Sequence, residues 1–327
     1  AKTIHRLLGS EDGKFAHNEF KPLPAKFVVI DEASMLDTKL AAAVVSAVPN
    51  AAHIVFVGDI DQLPSVGAGN VLKDIIASGK FPVIRLERIF RQGERSQIVK
   101  AAHDILHGSD STAEFPPNSL NFADPRRDIN FIRADTPDDC VKLTTALVRD
   151  KIPAWYGCDA FSDVQVLAPM HKGVAGIENF NASLKAALNP NARPIFGGRL
   201  SVGDKVMQTR NNYDLDVFNG DTGRIVREAD DGAGLVVDFD GRKIGVPRSD
   251  MADLQPAYAI SIHKSQGSEF PVVVLPLMRQ HFMMLQRNLL YTALTRGRKK
   301  VFIVGEESAW KSAVKNSRAS KRRTYLR

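Results

Sequence analysis

The sequence predicts an α/β protein in which parallel strands are wound with helices, arranged as two such sets, the second interrupted by a small inserted β-barrel. Three observations carry this. Short runs that are apolar at most positions recur at 27–31 FVVID, 54–59 IVFVGD, 83–86 VIRL, 164–169 VQVLAP, 272–277 VVVLPL and 300–304 KVFIV. Such runs fit parallel strands covered on both faces better than the alternating strands of a half-solvated sheet. Helical patterns lie between some of them, which is the order of a doubly wound fold. From Gly197 to about Leu254 the text changes to short alternating runs with the turn dipeptides Asn219-Gly220 and Asp240-Gly241, the mark of a small antiparallel barrel.

Taken in order, TIHRLL (3–8) is followed by GSEDGKFAHNEFKPLP (9–24), a polar excursion expected to form a short hairpin. After the first strand, Leu36, Leu40, Val44 and Val48 repeat every four residues and predict a helix, and 96–107 SQIVKAAHDILH has a similar face. GSDSTAEFPPNSLNFADPRRD (108–128) is polar and proline-bearing and reads as a connection over the surface. The expected domains are therefore 1–108, then 109–199 with 256–327, with the barrel at 200–255.

Composition narrows the function class. At 327 residues, 44 % hydrophobic and 25 % charged, the chain has the make-up of about two ordinary globular domains. No apolar stretch approaches the roughly 20 residues of a membrane helix, so no membrane-spanning helix is expected in these residues. Cys140 and Cys158 have no metal-ligand spacing and read as reduced thiols in a cytoplasmic protein. The net charge of +7 fits a polyanionic partner, and residues 287–327 hold twelve Lys and Arg against Glu306 and Glu307. A solvated basic tail would look the same.

The chemistry-bearing residues fall where strands end, the place where ligands gather in open parallel sheets. FVVID ends on Asp31 and Glu32. A carboxylate there can hold Mg²⁺ and its neighbour can deprotonate a water; a surface turn is the plainer reading. GDIDQLPSVGAGN (58–70) places Gln62 where an amide can meet a γ-phosphate, or simply bond to backbone. RLERIFRQ (85–92) offers Arg85, Arg88 and Arg91, and LLYTALTRGRKK (289–300) offers Arg296; a guanidinium can stabilise charge on a transferring phosphoryl group. SIHKSQGSEFPVVVLPL (261–277) gathers His263, Lys264, Ser265, Gln266, Gly267 and Glu269 before a strand, a set suited to phosphate and sugar contacts. His103 and His107 are spaced like a zinc pair, but no third ligand accompanies them and a helix-end histidine before Gly108 is the simpler account.

A phosphate loop of the form G-x-x-x-x-G-K-[ST] is absent from the 327 residues; Gly9 to Lys14 comes nearest, with the wrong spacing and Phe15 in place of the hydroxyl. Even so, the ordered set TIHRLL, VVIDEASM, VGDIDQLPSVGAGNVL, RLERIFRQ, VLAPMHKG, AISIHKSQGSEF and MLQRNLLYTALTRGRK strongly resembles RecD-like superfamily 1 DNA helicases over nearly the whole chain.

That resemblance implies two RecA-like P-loop NTPase domains, the first one truncated, with an inserted Src-homology-3-like barrel and a duplex-splitting pin at 9–24. The phosphate loop would then lie upstream of TIHRLL, outside these residues. It implies ATP and Mg²⁺ as cofactors: Asp31 on the metal, Glu32 as catalytic base, Gln62 as γ-phosphate sensor, Arg91 and Arg296 as arginines reaching it from the two domains, and Gly267 and Glu269 near the ribose. Thr3, His5, Val66 to Asn70, Pro169, His171, Lys172, His263, Lys264 and Ser265 would line a single-strand track. The implied activity is 5′ to 3′ translocation on single-stranded DNA and at single-strand/duplex junctions, with other helicase or repair subunits as partners and no activity in the truncated chain alone. The alternative is a nucleic-acid-binding protein with a vestigial ATP site. Gly297 departs from the family, which often has Ala there, and is expected to matter little.

Overall fold

Two separate sheets of parallel strands organise the chain. The computed structural model describes residues 2–11, 14–86, 96–230 and 232–317, which divide into two units, Ala1–Arg88 with Ser317–Arg327 and Ile89–Asn316.

In the first unit, α1 (Ile4–Leu8) begins at Thr3, whose Oγ1 accepts from the Arg6 N–H at 3.3 Å. Within the 9–24 excursion, β1 (Ser10–Glu11) pairs antiparallel with β2 (Lys14–Phe15). β3 (Phe27–Ile30) leads through α2 (Thr38–Ala47) to β4 (His53–Phe56), which pairs parallel with β3 from Phe27↔His53 to Ile30↔Phe56. Asp37 starts α2 by accepting from Leu40 N at 2.8 Å, and Ala41, Val44 and Ala47 then pack with Val28 and Ile30. α3 (Val71–Ala77) joins the same core through Val71 and Leu72.

Two expectations fail in this unit. Phe27 and Val29 are 60 % and 53 % exposed, so among the described residues β3 is covered on one face only. Residues 83–86, read as a strand, form none; Ile84 and Leu86 are about nine-tenths exposed. An apolar run becomes a strand only where a neighbour supplies the ladder, and none of the described residues does so there.

The second unit begins at α4 (Gln97–His107), which turns Ile98, Ala101, Ala102 and Ile105 inward and is tied to the far end of the chain when Arg287 Nη1 donates to Leu106 O at 3.2 Å. This helix, expected to close the first domain, therefore packs with the second unit. The 108–128 connection is not merely a surface run. Phe115 is 2 % exposed and meets Trp310 edge-on at 5.5 Å, an anchor that the polar text around it conceals.

Next come β5 (Ile129–Arg133), α5 (Pro137–Ala146), α6 (Ile152–Tyr156), β6 (Val164–Ala168) and α7 (Ile177–Leu188). The chain then leaves the second parallel sheet through β7 (Pro194–Ile195) and β8 (Leu200–Ser201) into β9 (Lys205–Gln208), β10 (Thr222–Glu228), β11 (Gly234–Phe239), β12 (Arg242–Pro247) and β13 (Leu254–Pro256). The last five form one antiparallel sheet in the order β12-β11-β10-β9-β13, wrapped on its own core of Val206, Ile225, Val237, Phe239 and Leu254. Asp240 and Gly241, both at positive φ (53° and 86°), close the β11–β12 hairpin as a two-residue turn.

The chain returns with β14 (Ala259–Ser261), β15 (Phe270–Leu277), α8 (Arg287–Thr295), β16 (Gly297–Gly305) and α9 (Glu307–Lys315). Strand order is β14-β6-β15-β16-β5 with parallel pairing throughout. Val166, Val273, Val274, Phe302 and Ile303 are at most 1 % exposed, so here the strands are covered on both faces as expected.

The inserted sheet is tied down by polar groups. Asp204, wholly buried, accepts from Lys185 Nζ at 2.7 Å, Ser201 N at 2.8 Å, Asn189 Nδ2 at 2.9 Å and Tyr258 OH at 3.1 Å. Lys205, beside it, donates to Val164 O at 3.1 Å, joining β9 to the start of β6. Burial holds the Lys205 ammonium down at about 8.

Candidate nucleotide and nucleic-acid sites

In the first unit, backbone hydrogen bonds lock the ends of β3 and β4 together: Val57 N donates to Ile30 O and Ala33 N to Val57 O, each at 2.8 Å. Asp31 and Glu32 sit in the resulting turn. Asp31 Oδ1 accepts from Glu32 N at 2.8 Å, and Glu32 adopts a positive φ of 50°, uncommon for a non-glycine residue. Gly58 is there because of space: a Cβ would come within 2.9 Å of Ser34 N and 3.0 Å of Ala33 N. The turn carrying the two carboxylates is thereby pressed against the end of β4.

Gln62 follows in the loop after β4. It is 9 % exposed, and its Nε2 donates to Asp59 Oδ2 at 3.3 Å. A carboxylate can only accept, so the amide is oriented and Oε1 points the other way. That oxygen is buried without a hydrogen-bond partner, and so is Ser34 Oγ. Each would cost about 1–3 kcal/mol if it stayed dry and unpaired. Two such atoms at paired strand ends beside two carboxylates fit a polar ligand carrying its own donors and water. Among the described residues no group of three or more His, Cys, Asp or Glu gathers as a metal site, so a cation here would rest on Asp31 and on ligand oxygens.

The loop after Gln62 docks on the start of α2, where Thr38 N and Oγ1 both donate to Ala68 O at 2.9 and 3.0 Å. Val66 is left 88 % exposed, and Asn70 precedes α3 as its cap residue. His5 is exposed and lies 5.8 Å from the Phe15 ring. Arg88 and Arg91 lie outside the described residues.

The second unit separates its residues between the two edges of the sheet. Arg296 caps α8 directly before β16, and Glu269 directly precedes β15. Both stand where strands begin, as their position before the apolar runs 272–277 and 300–304 implied. Arg296 is 3 % exposed; its Nη1 donates to Ser268 O at 3.1 Å, and its carbonyl accepts from Phe270 N at 2.9 Å. Glu269 faces Arg298 at 4.0 Å, and Gly267 is exposed at a φ of 76°. Gly297 matters more than expected, because a Cβ there would fall 2.5 Å from Val301 Cγ2.

The opposite edge carries Pro169, His171 and Lys172 after β6, and His263, Lys264 and Ser265 after the adjacent β14. His171 and Lys172 are exposed and Pro169 is buried. Ser265 is wholly buried with its Oγ donating to Ile262 O at 2.8 Å, so it braces the turn and does not present its hydroxyl. Lys264 is half-buried, and burial lowers its ammonium below the ordinary lysine range. A cleft of about 1010 Å³ includes His171, Asn181, Lys185, Arg199 and Lys264 in its wall. Asn181, Lys185 and Arg199 were missed in the sequence because they lie in ordinary helical or turn text.

Family models match in three places: an AAA domain over 1–121, an ATP-dependent RecD-like DNA helicase SH3 domain over 180–239, and a UvrD-like helicase C-terminal domain over 256–304. The ATP-dependent RecD2 DNA helicase of Deinococcus radiodurans is 37 % identical over 328 residues, taking in 100 % of this chain and 43 % of that protein. The chain is RecD-like over its whole length. Further similarity, 30 % identity, links it to the RecBCD enzyme subunit RecD of Mycobacterium tuberculosis over 96 % of the chain and 55 % of the relative. This RecD-like chain thus spans about half the length of these curated relatives.

Two solved structures share the fold. Pif1 helicase from Bacteroides in complex with ADP-AlF3 and ssDNA matches with a TM-score of 0.55 at 18 % identity, over 95 % of this chain and 80 % of that one. Bacteroides Pif1 bound to ssDNA matches with a TM-score of 0.54 at 19 % identity, over 96 % and 80 %. The RecD-like chain therefore has the RecA-like helicase fold with an SH3-like insertion. No helix among its described residues is long and apolar enough to cross a membrane.

Proposed function

We propose that the whole protein carrying this chain is an ATP-hydrolysing DNA helicase or translocase that moves 5′ to 3′ along single-stranded DNA. The observation supporting it most directly is the pair of buried, unpartnered atoms Ser34 Oγ, in the turn after Asp31 and Glu32, and Gln62 Oε1, in the loop after the paired strand β4. In this reading Asp31 holds Mg²⁺, which neutralises charge on the phosphate oxygens when bound. Glu32 takes the proton of the attacking water, and Gln62 orients that water through the oxygen that Asp59 leaves free. Arg296, already fixed by Ser268, supplies positive charge to the phosphates, with Arg91 as its counterpart, and Gly267 and Glu269 lie by the ribose.

The DNA track in this reading comprises Thr3, His5, Val66, Asn70, Pro169, His171, Lys172, His263 and Lys264, with Ser265 shaping the last turn. Contacts are mostly to the DNA backbone, so affinity falls steeply with salt. The motor domains of this reading are 1–108, whose last helix α4 packs with the second unit, and 109–199 with 256–327, with the barrel at 200–255 and the pin at 9–24. Single-strand/duplex junctions and other helicase or repair subunits are the partners, in the cytoplasm, where both free thiols stay reduced.

The test is ATP hydrolysis by the full-length protein with and without single-stranded DNA. Strong stimulation is expected, and Glu32→Gln should retain ATP binding while losing turnover. Residues 1–327 alone, without a glycine-rich phosphate loop, should hydrolyse ATP negligibly. DNA-independent turnover, or an unchanged rate in Glu32→Gln, would overturn the reading and favour a binding protein with a vestigial site.

A further inference from the structure

Three adjacent strands, β14, β6 and β15, end on the same edge of the second sheet, about 4.8 Å apart from one strand to the next. The first two endings carry His263 and Lys264, then His171 and Lys172. The third, 278–284, reads MRQHFMM and was not singled out in the sequence. It places Phe282 at 69 % exposure and Met283 at 65 %, beside exposed Arg279.

This loop is held, not loose. His281 is wholly buried; its Nδ1 accepts from Met278 N at 3.1 Å, so Nε2 carries the proton and donates to Ala175 O at 2.9 Å. Arg279 N donates to Glu306 Oε2 at 2.6 Å. The bond to Ala175 fastens the Phe282 loop to the loop that carries His171 and Lys172. Beyond β15 the edge changes character. Around the ends of β16 and β5, Asp110, Asp135, Glu306 and Glu307 outnumber Arg133 and Lys311. The cationic row therefore stops at β15, and it stops on an exposed aromatic ring.

We infer that Phe282, flanked by Met283, is a stacking platform for an unpaired base at the end of the single-strand track. The inference rests on the single-strand reading above and adds a contact of a different kind. Cations along the row grip phosphates, while an aromatic face fixed by a buried histidine takes a base of any sequence. Tethering the ring to the His171–Lys172 loop sets the spacing between the phosphate grip and the stacked base.

Binding of labelled oligo-dT to the full-length protein across a salt series tests this. Phe282→Ala should weaken binding about tenfold with the log-log salt slope unchanged, since no counterion is released by stacking. Lys172→Ala should instead reduce the slope by about 1. Phe282→Trp should retain affinity, and its added fluorescence should be quenched by DNA. Phe282 is exposed, so these variants should fold. Salt-dependent wild-type binding with Phe282→Ala unchanged and Phe282→Trp unquenched would overturn the platform, as would Phe282→Ala losing only a protein partner. Absence of wild-type binding would instead sink the single-strand reading itself.

Discussion

Gln62 Nε2 donates to Asp59 Oδ2 at 3.3 Å, and this one bond orients the amide and leaves its oxygen buried without a protein partner. Gln62→Ala should cost modest stability, about 1 kcal/mol, because only the Nε2 bond to Asp59 is lost while Oε1 has no protein partner to lose. It should lower DNA-stimulated turnover by about 100-fold, the loss typical of a donor or acceptor that serves a transition state. Chemical denaturation and steady-state hydrolysis on the full-length protein check both halves. A large stability loss with unchanged turnover would make the glutamine structural.

Asp204 holds four donors at the root of the inserted sheet. Asp204→Ala leaves all four without this acceptor and should cost about 3 kcal/mol or more. Adding Lys185→Met should recover part of that loss, because the partly buried ammonium no longer needs a partner. A denaturant series over the two single variants and the double variant measures the coupling.

Burial brings Lys205 from 10.5 down to about 8. In the unfolded chain it keeps its ordinary value, so between pH 8 and 10.5 the unfolded state holds a proton that the folded state has released. Stability contributed by this group therefore rises as pH climbs from about 8 to 10.5, by an amount on the order of a few kcal/mol, and is flat below 8. Lys205→Met should remove that slope; melting temperatures of both proteins over this range, taken as a difference, show it. Parallel pH profiles would mean that the ammonium is solvated.

Gly297→Ala would set a Cβ 2.5 Å from Val301 Cγ2, between α8 and the buried strand β16. The expected loss is about 1–3 kcal/mol, as for other overpacked sites. Gly297→Ala combined with Val301→Ala should cost less than the sum of the two single changes. Additive losses would show that the cost of Gly297→Ala does not come from contact with Val301.

The second sheet was legible where its strands are continuous apolar text: 164–169, 272–277 and 300–304 all became central strands. INFIR and AIS, the edge strands β5 and β14, were not read, since three to five residues bordered by polar text give too little periodicity. The helix 96–107 was read correctly as a helix, but its apolar face could not say which neighbour it would meet. VIRL was read as a strand and is none. Of the candidate sites, the carboxylates, Gln62 and the two loops after β6 and β14 announce themselves through unusual polar residues at fixed spacing. FMM after QH does not, because a surface aromatic looks the same in sequence as a buried one.

By itself the sequence determined the α/β class, the inserted antiparallel sheet and the candidate residues for a triphosphate and a nucleic acid, because strand periodicity, turn chemistry and polar motifs are local properties of the chain. Only the tertiary structure decided that α4 packs with the second unit, that Ser265 faces inward, and that the exposed Phe282 lies on the same sheet edge as His171 and Lys264. Those outcomes depend on strand order and on which side chains neighbouring elements cover, and both are set by contacts between residues far apart in the sequence.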